Sequence, residues 1–243
     1  TVVGNNKVGC LSGENTANVL SDIVVSGSVE GESEVGGLTG YSAYSQPTDV
    51  TIEASVTGNQ NAVGGIVGDK SSGNISNSNV VGSVVGQNNV GGIVGSSTNA
   101  TVKSSYVQNS VSGVNTVGGI VGLNVGTVES TYVTASVSAS DAIEGGLIGQ
   151  NGQDAKSFRD GNSGTLRNSY WDSESTGRTS SIGQEGGDDD TENGTSGGSS
   201  LVEGEVLSLT TSEMQGSSAS SNMSSLDFSS IWETQTESYP GLQ

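Results

Sequence analysis

A hexapeptide of nearly constant sequence returns six times along this chain at an almost fixed interval. Its copies read VGCLSG, VGGLTG, VGGIVG (three times) and EGGLIG, and successive copies start 27, 28, 27, 27 and 27 residues apart. They begin at Val8, Val35, Val63, Val90, Val117 and Glu144. Self-similarity at such an interval is typical of repeat architectures, in which each unit stacks on the next to bury a shared core.

Two further sets of aliphatic residues keep the same step. The first is Val25, Ile52, Val80, Val107 and Val133, and the second, four residues later in each unit, is Val29, Val56, Val84, Val111 and Val137. The stretches around them are rich in Val, Ile, Thr and Tyr and are bounded by Gly, Asn, Ser or Asp, as strands between turns are. Three short strands per 27 residues predict one coil of a parallel β-helix. The predicted fold class is therefore all-β, a β-solenoid of about six coils.

Stacking at this interval places like residues above one another, about 4.8 Å apart. One inner column is then Leu11, Leu38, Ile66, Ile93, Ile120 and Leu147. The glycines that end the hexapeptides are expected at corners that need a positive φ or a close backbone approach. They include Gly40, Gly68, Gly95, Gly122 and Gly149. The alternative, successive hairpins in a sandwich or barrel, needs Asn-Gly turns between these strands, whereas Asn-Gly occurs elsewhere, at Asn151 and Asn193.

The composition alone would suggest disorder, because few apolar residues are available to offset chain entropy. Only 30% of the residues are hydrophobic, and 39 are glycine. With 26 acidic against 7 basic residues the formal net charge is −19, which disfavours nucleic acid and anionic membranes as partners. Carboxylates could simply keep the chain soluble, but the scarcity of lysine favours adaptation to high salt, where ions screen the repulsion.

The repeats resemble the GLUG motif, found in secreted bacterial and archaeal surface proteins, including adhesin-like proteins and non-catalytic regions of IgA-specific metallopeptidases. The unit VGGIVGLNVGTVESTYV, from Val117 to Val133, carries the resemblance best, with Asn124 and the turn that starts at Gly126. The resemblance covers roughly residues 8–172, and the first two units depart from it because they lack the Gly-Thr-Val turn. It implies a structural surface repeat and brings no catalytic residues with it.

The composition divides the chain into three parts. Residues 1–172 hold the repeats, residues 173–200 are predicted to be an acidic Gly/Ser-rich linker, and residues 201–243 a C-terminal cap. A terminal coil exposes strand edges and core, and both need covering. The aromatic residues expected to cover them are Trp171, Phe228, Trp232 and Tyr239; an aromatic ligand platform is the alternative. Residues 153–164 are predicted to be a solvated insertion.

Candidate catalytic residues are few. Histidine is absent, which excludes the HExxH zinc site and the usual Ser-His-Asp arrangement. Some β-helix enzymes cleave acidic polysaccharides with paired carboxylates, but Glu30, Glu53, Glu129 and Glu144 do not share one column. The sequence therefore predicts a protein that is not an enzyme and has no cofactor. Cys10, the single cysteine, is expected to be a small buried or edge hydrophobe.

Two kinds of site remain as candidates. Asp188, Asp189 and Asp190 could bind Ca²⁺, although they lack the spacing of known calcium loops and are typical of a solvated acidic run. Four sequons could carry glycans if the protein is exported: Asn74, Asn99, Asn193 and Asn222. No apolar run approaches the ~18 residues that a membrane span needs.

These observations favour a non-enzymatic structural or adhesive module in the extracellular space or at the cell surface. Its partners would be copies of itself, neighbouring surface proteins or glycans. The alternative is a dedicated receptor- or glycan-binding module, such as a viral tail-fibre or spike segment. That hypothesis needs a convergent patch, and Tyr106, Tyr132 and Tyr170 are its best candidates. Because they share one column, a stacked ladder that supports the coil explains them equally well. A polysaccharide-processing enzyme is the third hypothesis.

Overall fold

The computed structural model describes residues 1–16, 18–141, 143–152, 164–185 and 201–243. The described chain winds as a β-solenoid whose strands pair in parallel with their counterparts in the neighbouring coils. The predicted fold class, an all-β parallel β-helix, is confirmed.

Three sheets form the walls. Sheet 1 contains Val2–Val3, Ser28–Gly31, Ser55–Gly58, Ser83–Val85, Ser110–Gly113 and Ser136–Ala139. Sheet 2 contains Asn6–Val8, Ser33–Gly36, Asn61–Gly64, Asn88–Gly91, Thr116–Gly118 and Ile143–Gly145. Sheet 3 contains Ser12–Asn15, Val19–Val25, Thr39–Ser42, Gln46–Ile52, Val67–Lys70, Gly73–Ser76, Asn79–Val80, Val94–Lys103, Tyr106–Val107, Val121–Glu129, Tyr132–Val133, Ile148–Asn151, Thr165–Asp172, Ile182–Glu185 and Leu201–Leu209.

The core consists of the predicted aliphatic columns. Ile66, Ile93 and Ile120 are fully buried, and their backbones connect vertically, since the amide of each donates to the carbonyl of its counterpart one coil further on. The valine columns keep the same register, as in the pairing of Val84 with Val111 and of Val80 with Val107. Each coil contributes only a few aliphatic side chains, so the core exists only because the coils stack.

The first coil departs from the prediction. Leu11, expected in the inner column, is 52% exposed, whereas Leu38, its counterpart in the next coil, is fully buried. Val3, Val19 and Val24 of the same coil are also exposed. A residue of a solenoid is buried by the coils on both sides of it, and in the described chain Leu11 has a coil on one side only.

Two columns of corners are made mainly by polar residues in the left-handed conformation, and not by the glycines that end the hexapeptides. One corner column of equivalent positions has φ between 48° and 58° in every coil: Asp22, Asp49, Asn77, Ser104, Ser130 and Asn168. A second begins with Lys7, Glu34, Ala62 and Asn89. Short polar side chains tolerate this conformation better than others do, because they can hydrogen-bond locally.

The glycines that end the hexapeptides lie instead where the backbones of two coils approach each other closely. A Cβ on Gly95 would lie 2.4 Å from the backbone nitrogen of Val63, and one on Gly122 would lie 2.5 Å from the carbonyl carbon of Asn89. Neither glycine has a positive φ. Of the two reasons that the sequence offered for this ladder, the structure selects the close approach of two backbones.

The described parts of residues 173–243, namely 173–185 and 201–243, contain regular secondary structure. Ser173–Thr176 is one helical turn, and Ile182–Glu185 extends sheet 3 by pairing with Ile148–Asn151. After the undescribed residues 186–200, Leu201–Leu209 pairs in parallel with Thr165–Asp172 and so covers the last long edge. The C-terminal segment, residues 210–243, holds a second helix and an antiparallel hairpin, namely Ser218–Asn222, Trp232–Gln235 and Ser238–Leu242.

Candidate functional site

A column of three tyrosines forms the most distinctive surface of the solenoid. Tyr106, Tyr132 and Tyr170 pair at equivalent positions of successive coils. The rings of Tyr106 and Tyr132 lie parallel, with 5.0 Å between their centroids and 1° between their planes. The separation matches the ~4.8 Å step between parallel strands, so the stacking follows directly from the repeat. We call this set the tyrosine column.

The C-terminal segment lies over the tyrosine column and forms a second core with it. Tyr132, Tyr170 and Trp232 are fully buried in that core, whereas Tyr106 is only partly buried. The Trp232 ring lies 5.3 Å from that of Tyr132 and 6.1 Å from that of Tyr106. Other members of the core are Met214, Ala219, Met223, Leu226, Phe228 and Tyr239. The segment thus covers the side of the solenoid, while Leu201–Leu209 covers the strand edge.

A buried carboxylate attaches the segment to the last coil. Asp172 is fully buried and accepts hydrogen bonds from the hydroxyls of Tyr239 (2.6 Å) and Thr211 (2.7 Å) and from the backbone of Ser175. It also caps the helix Ser173–Thr176. Burial by itself raises the pKa of the Asp172 carboxyl, but these hydrogen bonds outweigh it and hold the pKa below its usual value. The ionised Asp172 carboxylate therefore joins the last coil to the helical turn Ser173–Thr176 and to the C-terminal segment.

A polar column runs inside the wall of the solenoid and was not foreseen. Its members occupy equivalent positions of successive coils and are all buried: Asn15, Ser42, Lys70, Ser97, Asn124 and Asn151. Lys70 donates to the Ser42 hydroxyl (3.1 Å) and the Ser45 carbonyl (2.8 Å). Burial lowers the pKa of the Lys70 ammonium to about 8. With Ser42 and Ser45 also fully buried, this Ser/Lys pair is closed to substrates, and we interpret it as structural.

A small charged cluster lies on the outside of the first three coils. Lys7 forms an ion pair with Glu14 (2.9 Å) and its ammonium lies 4.4 Å from the centre of the Tyr41 ring. Burial raises the pKa of the nearby Asp69 carboxyl to about 6, and the charge of Glu34 adds to the increase. Within the described ranges, no group of three or more acidic, cysteine or histidine side chains is arranged to hold a metal ion.

The acidic residues considered for catalysis lie apart. Glu129 forms an ion pair with Arg167, and Glu144 forms one with Arg178. Glu30 and Glu53 are exposed. Paired carboxylates for glycoside cleavage stand about 5–10 Å apart across one substrate site. Glu129 and Glu144 instead form ion pairs that connect neighbouring coils.

The structure describes only some of the residues predicted to bind calcium or carry glycans. Asp188, Asp189 and Asp190, the calcium candidates, lie outside the described residues, as do Asn193 and most of the 153–164 insertion. Asn74 and Asn99 are exposed, and Asn99 is one of the left-handed residues. Asn222 is half-buried and donates from its side-chain amide to the Glu213 carbonyl (3.0 Å). Glycosylation of these residues stays a prediction.

Cys10 is exposed rather than buried. It replaces the second glycine of the hexapeptide in the first coil, and that coil is open to solvent on one side. Of the two predictions for Cys10, a buried or an edge position, the buried one is wrong for the same reason that it is wrong for Leu11, and the edge position agrees with the structure.

The sequence predicts the tyrosine column but not the segment that covers it. The repeat interval places Tyr106, Tyr132 and Tyr170 in one column, whereas the docking of a segment some 70–130 residues away leaves no periodic signal. The partners of Asp172 were missed for that reason. The position of Lys70 could have been found, because its counterparts Ser97 and Asn124 are also polar and follow a buried strand at the repeat interval.

Two comparisons relate the chain to known proteins, while no family model matches it. The GLUG resemblance therefore stays a prediction. The chain is similar to Halomucin of Haloquadratum walsbyi, with 34% identity over 112 residues. This match covers 46% of the chain and 1% of Halomucin, so the chain spans a very small part of that relative.

A solved structure has a related fold. It is the crystal structure of a candidate immunoglobulin A1 protease from Bacteroides ovatus, which matches with a TM-score of 0.54 and 17% identity over 99% of this chain and 75% of that one. At this identity the likeness concerns the fold alone. Among the described residues, no helix has both the length and the apolar character required to cross a membrane.

Proposed function

We propose that the chain is a non-enzymatic, rigid β-solenoid module of an extracellular or cell-surface protein, with a structural and adhesive role. The observation that carries the proposal is the stack of coils. Its interior is filled by aliphatic columns, and its buried polar groups form hydrogen bonds within the wall. Repeat stacks of this kind present long polar faces at fixed spacing, which suits weak, multivalent contacts with copies of itself, neighbouring surface proteins or glycans.

Charge and similarity support a salt-rich, external setting. The net charge of −19 repels other anions and is best tolerated where dense ions screen it. The relative Halomucin comes from Haloquadratum walsbyi, and its name describes a mucin, which is a class of secreted or surface glycoprotein. We extend both properties, salt adaptation and surface location, to this chain as part of the proposal.

Small-angle scattering and sedimentation of the purified chain, from low to molar NaCl, test the structural role. We expect a particle that stays folded and stiff in molar salt and that either remains one rod or joins into longer ones. The six coils would contribute about 29 Å of height at ~4.8 Å per coil. Collapse or loss of β-structure in molar salt would contradict the proposal.

The third hypothesis, an enzyme acting on acidic polysaccharides, is tested separately. We expect incubation with pectate, alginate and hyaluronate to leave the length of each polymer unchanged. Shortening of any of them by the purified chain would overturn the non-enzymatic part of the proposal.

One observation favours the alternative of a dedicated receptor- or glycan-binding module: Tyr106 is partly exposed at the end of the tyrosine column. Tyr132 and Tyr170, by contrast, are buried beneath the C-terminal segment and cannot contact a ligand. Within the tyrosine column, any contact with a glycan therefore depends on Tyr106.

A further inference from the structure

The C-terminal segment ends against the solenoid wall at an open groove of about 330 Å³. The groove lies between two parts of the chain. One wall is formed by the repeats, with Asp49, Asn77 and Asn79, and the other by the last hairpin, with Gln235. Tyr106 is the aromatic residue of the groove. Volumes of 300–1,000 Å³ are usual for sites that take small molecules.

The floor of the groove continues the tyrosine column. Asn79 is paired with Tyr106, and Thr51 with Asn79, so the two polar residues occupy the next two steps of the stack. Tyr132 covers one face of the Tyr106 ring. In the described part of the chain no aromatic ring stacks on the opposite face, because the next position of the column is Asn79. The stack therefore stops at an aromatic face with polar neighbours.

The polar groups around this face are held in place by the backbone. Asp49 and Asn77 belong to the left-handed corner column, with φ of 54° and 49°. The Asn79 side-chain oxygen accepts a hydrogen bond from the Thr51 hydroxyl (2.8 Å), and Asn79 also lines the groove. Gln235 folds back over Gly241, where a Cβ would lie 2.4 Å from the Gln235 amide nitrogen. Acceptors and donors thus line the groove together with Tyr106.

We propose that this groove binds a neutral pyranose sugar, with the sugar ring against the part of Tyr106 that lines the groove and its hydroxyls on Asp49, Asn77 and Asn79. The inference rests on the adhesive function proposed above and names its ligand class. A sugar ring offers an apolar face for an aromatic ring and hydroxyls that both donate and accept, which matches this mixture of groups. A single carboxylate gives too few ligands for a bound cation, and the net charge of −19 repels acidic sugars.

Saturation-transfer NMR and titration with methyl glycosides of glucose, galactose, mannose and N-acetylglucosamine test the site. We expect at least one glycoside to bind with a Kd in the millimolar range, unchanged between low and molar NaCl because the ligand is neutral. Tyr106→Val should raise Kd about tenfold by removing the stacking surface. Asn77→Gly keeps the left-handed backbone while removing the amide, and should raise Kd about three- to tenfold.

Tyr44→Val is the matched control, because Tyr44 is 70% exposed and does not line the groove. It should bind like the parent chain. The inference is overturned if no glycoside binds, or if Tyr106→Val and Tyr44→Val bind equally well. Circular dichroism of each variant shows whether the solenoid is intact, so unfolding is not mistaken for loss of the site. The scattering experiment uses no sugar, so a failure here leaves the proposed structural role standing and is distinguishable from its failure.

Discussion

At the scale of single residues, burial in this molecule depends on whether a coil lies on both sides. Ile93 and Leu11 occupy the same position of the repeat, yet one is fully buried and the other 52% exposed. The same chemical group therefore contributes very different amounts of stability according to its coil. The polar residues follow the same logic, because Lys70 is buried only through the coils that enclose it.

The first prediction compares the two aliphatic positions. Ile93→Ala should lower the free energy of unfolding by about 2–5 kcal/mol, because it leaves a cavity between two coils. Leu11→Ala should lower it by less than about 1 kcal/mol, since half of the side chain is already in water. Urea denaturation followed by circular dichroism measures both. Equal losses at the two positions would show that the first coil is as well enclosed as the fourth.

The second prediction concerns Lys70. Its pKa is lowered in the fold from 10.5 to about 8, so the folded state disfavours the charged form. The resulting destabilisation is fully present below pH 8 and is relieved as the pH rises from 8 to 10.5. Its size is about 3 kcal/mol at 1.36 kcal/mol per pH unit. Lys70→Met, of similar length, should abolish the rise in stability that the parent chain shows over this range.

Because tyrosines also titrate at high pH, the measured quantity is the difference between parent and variant in urea denaturation at each pH. A difference that stays constant from pH 7 to 10.5 would contradict the assignment. Lys103→Met serves as the control, since Lys103 is only partly buried.

At the scale of elements, the C-terminal segment is attached to the solenoid through a few groups rather than through a ladder of strands. The Asp172 carboxylate accepts hydrogen bonds from the hydroxyls of Thr211 and Tyr239, and the tyrosine column packs against Trp232. The strand Leu201–Leu209, by contrast, is held by continuous backbone pairing. The segment should therefore open locally before the coils do.

The third prediction tests that attachment. Tyr239→Phe removes the hydrogen bond to the Asp172 carboxylate, which is worth about 1.5–3 kcal/mol when one partner is charged. Amide hydrogen exchange should become about 10–100 times faster in residues 210–243 and stay unchanged around Ile93. Tyr44→Phe, at an exposed ring, should change neither region.

Acid should have the same effect as this substitution. The pKa of Asp172 lies below 3.8 in the fold, so the ionised carboxylate stabilises the attachment above pH 3.8. That stabilisation is lost as the pH falls through the lower folded value. Uniform acceleration of exchange over the whole molecule would argue against a separately opening segment.

The parts of this structure that repeat could be predicted from the sequence, and the parts that do not repeat could not. The interval of the hexapeptide, together with the three short strands per interval, predicts that Ile66 lies over Ile93, because like residues at a fixed step lie above one another in a solenoid. The docking of Trp232 on Tyr132 depends on the shape of a unique segment. The conformation of Asn77 lies between these cases, since asparagine favours left-handed corners but also occurs elsewhere.

At the scale of the whole molecule, stability depends on ionic conditions. The strands of the three sheets carry 12 of the 26 acidic side chains of the chain, and their mutual repulsion opposes the compact state unless ions screen it. The core that opposes this repulsion is built from small aliphatic side chains, mainly valine. The fourth prediction follows from that balance.

The melting temperature should rise from low to molar NaCl. Each kcal/mol gained raises it by about 2–4 °C in a chain of this size. Sucrose of the same osmolality is the control, because it is excluded from the surface but screens no charge. An equal rise in sucrose and in NaCl would exclude charge screening as the cause.

The two ends of the described solenoid are closed to different degrees, and this has a consequence for contacts between copies of the chain. The coil with Leu11 and Val3 leaves these side chains in water, whereas Leu201–Leu209 and the C-terminal segment cover the coil at the other end. In the described chain, end-to-end association is therefore expected at the open coil, where strand edges are available for pairing.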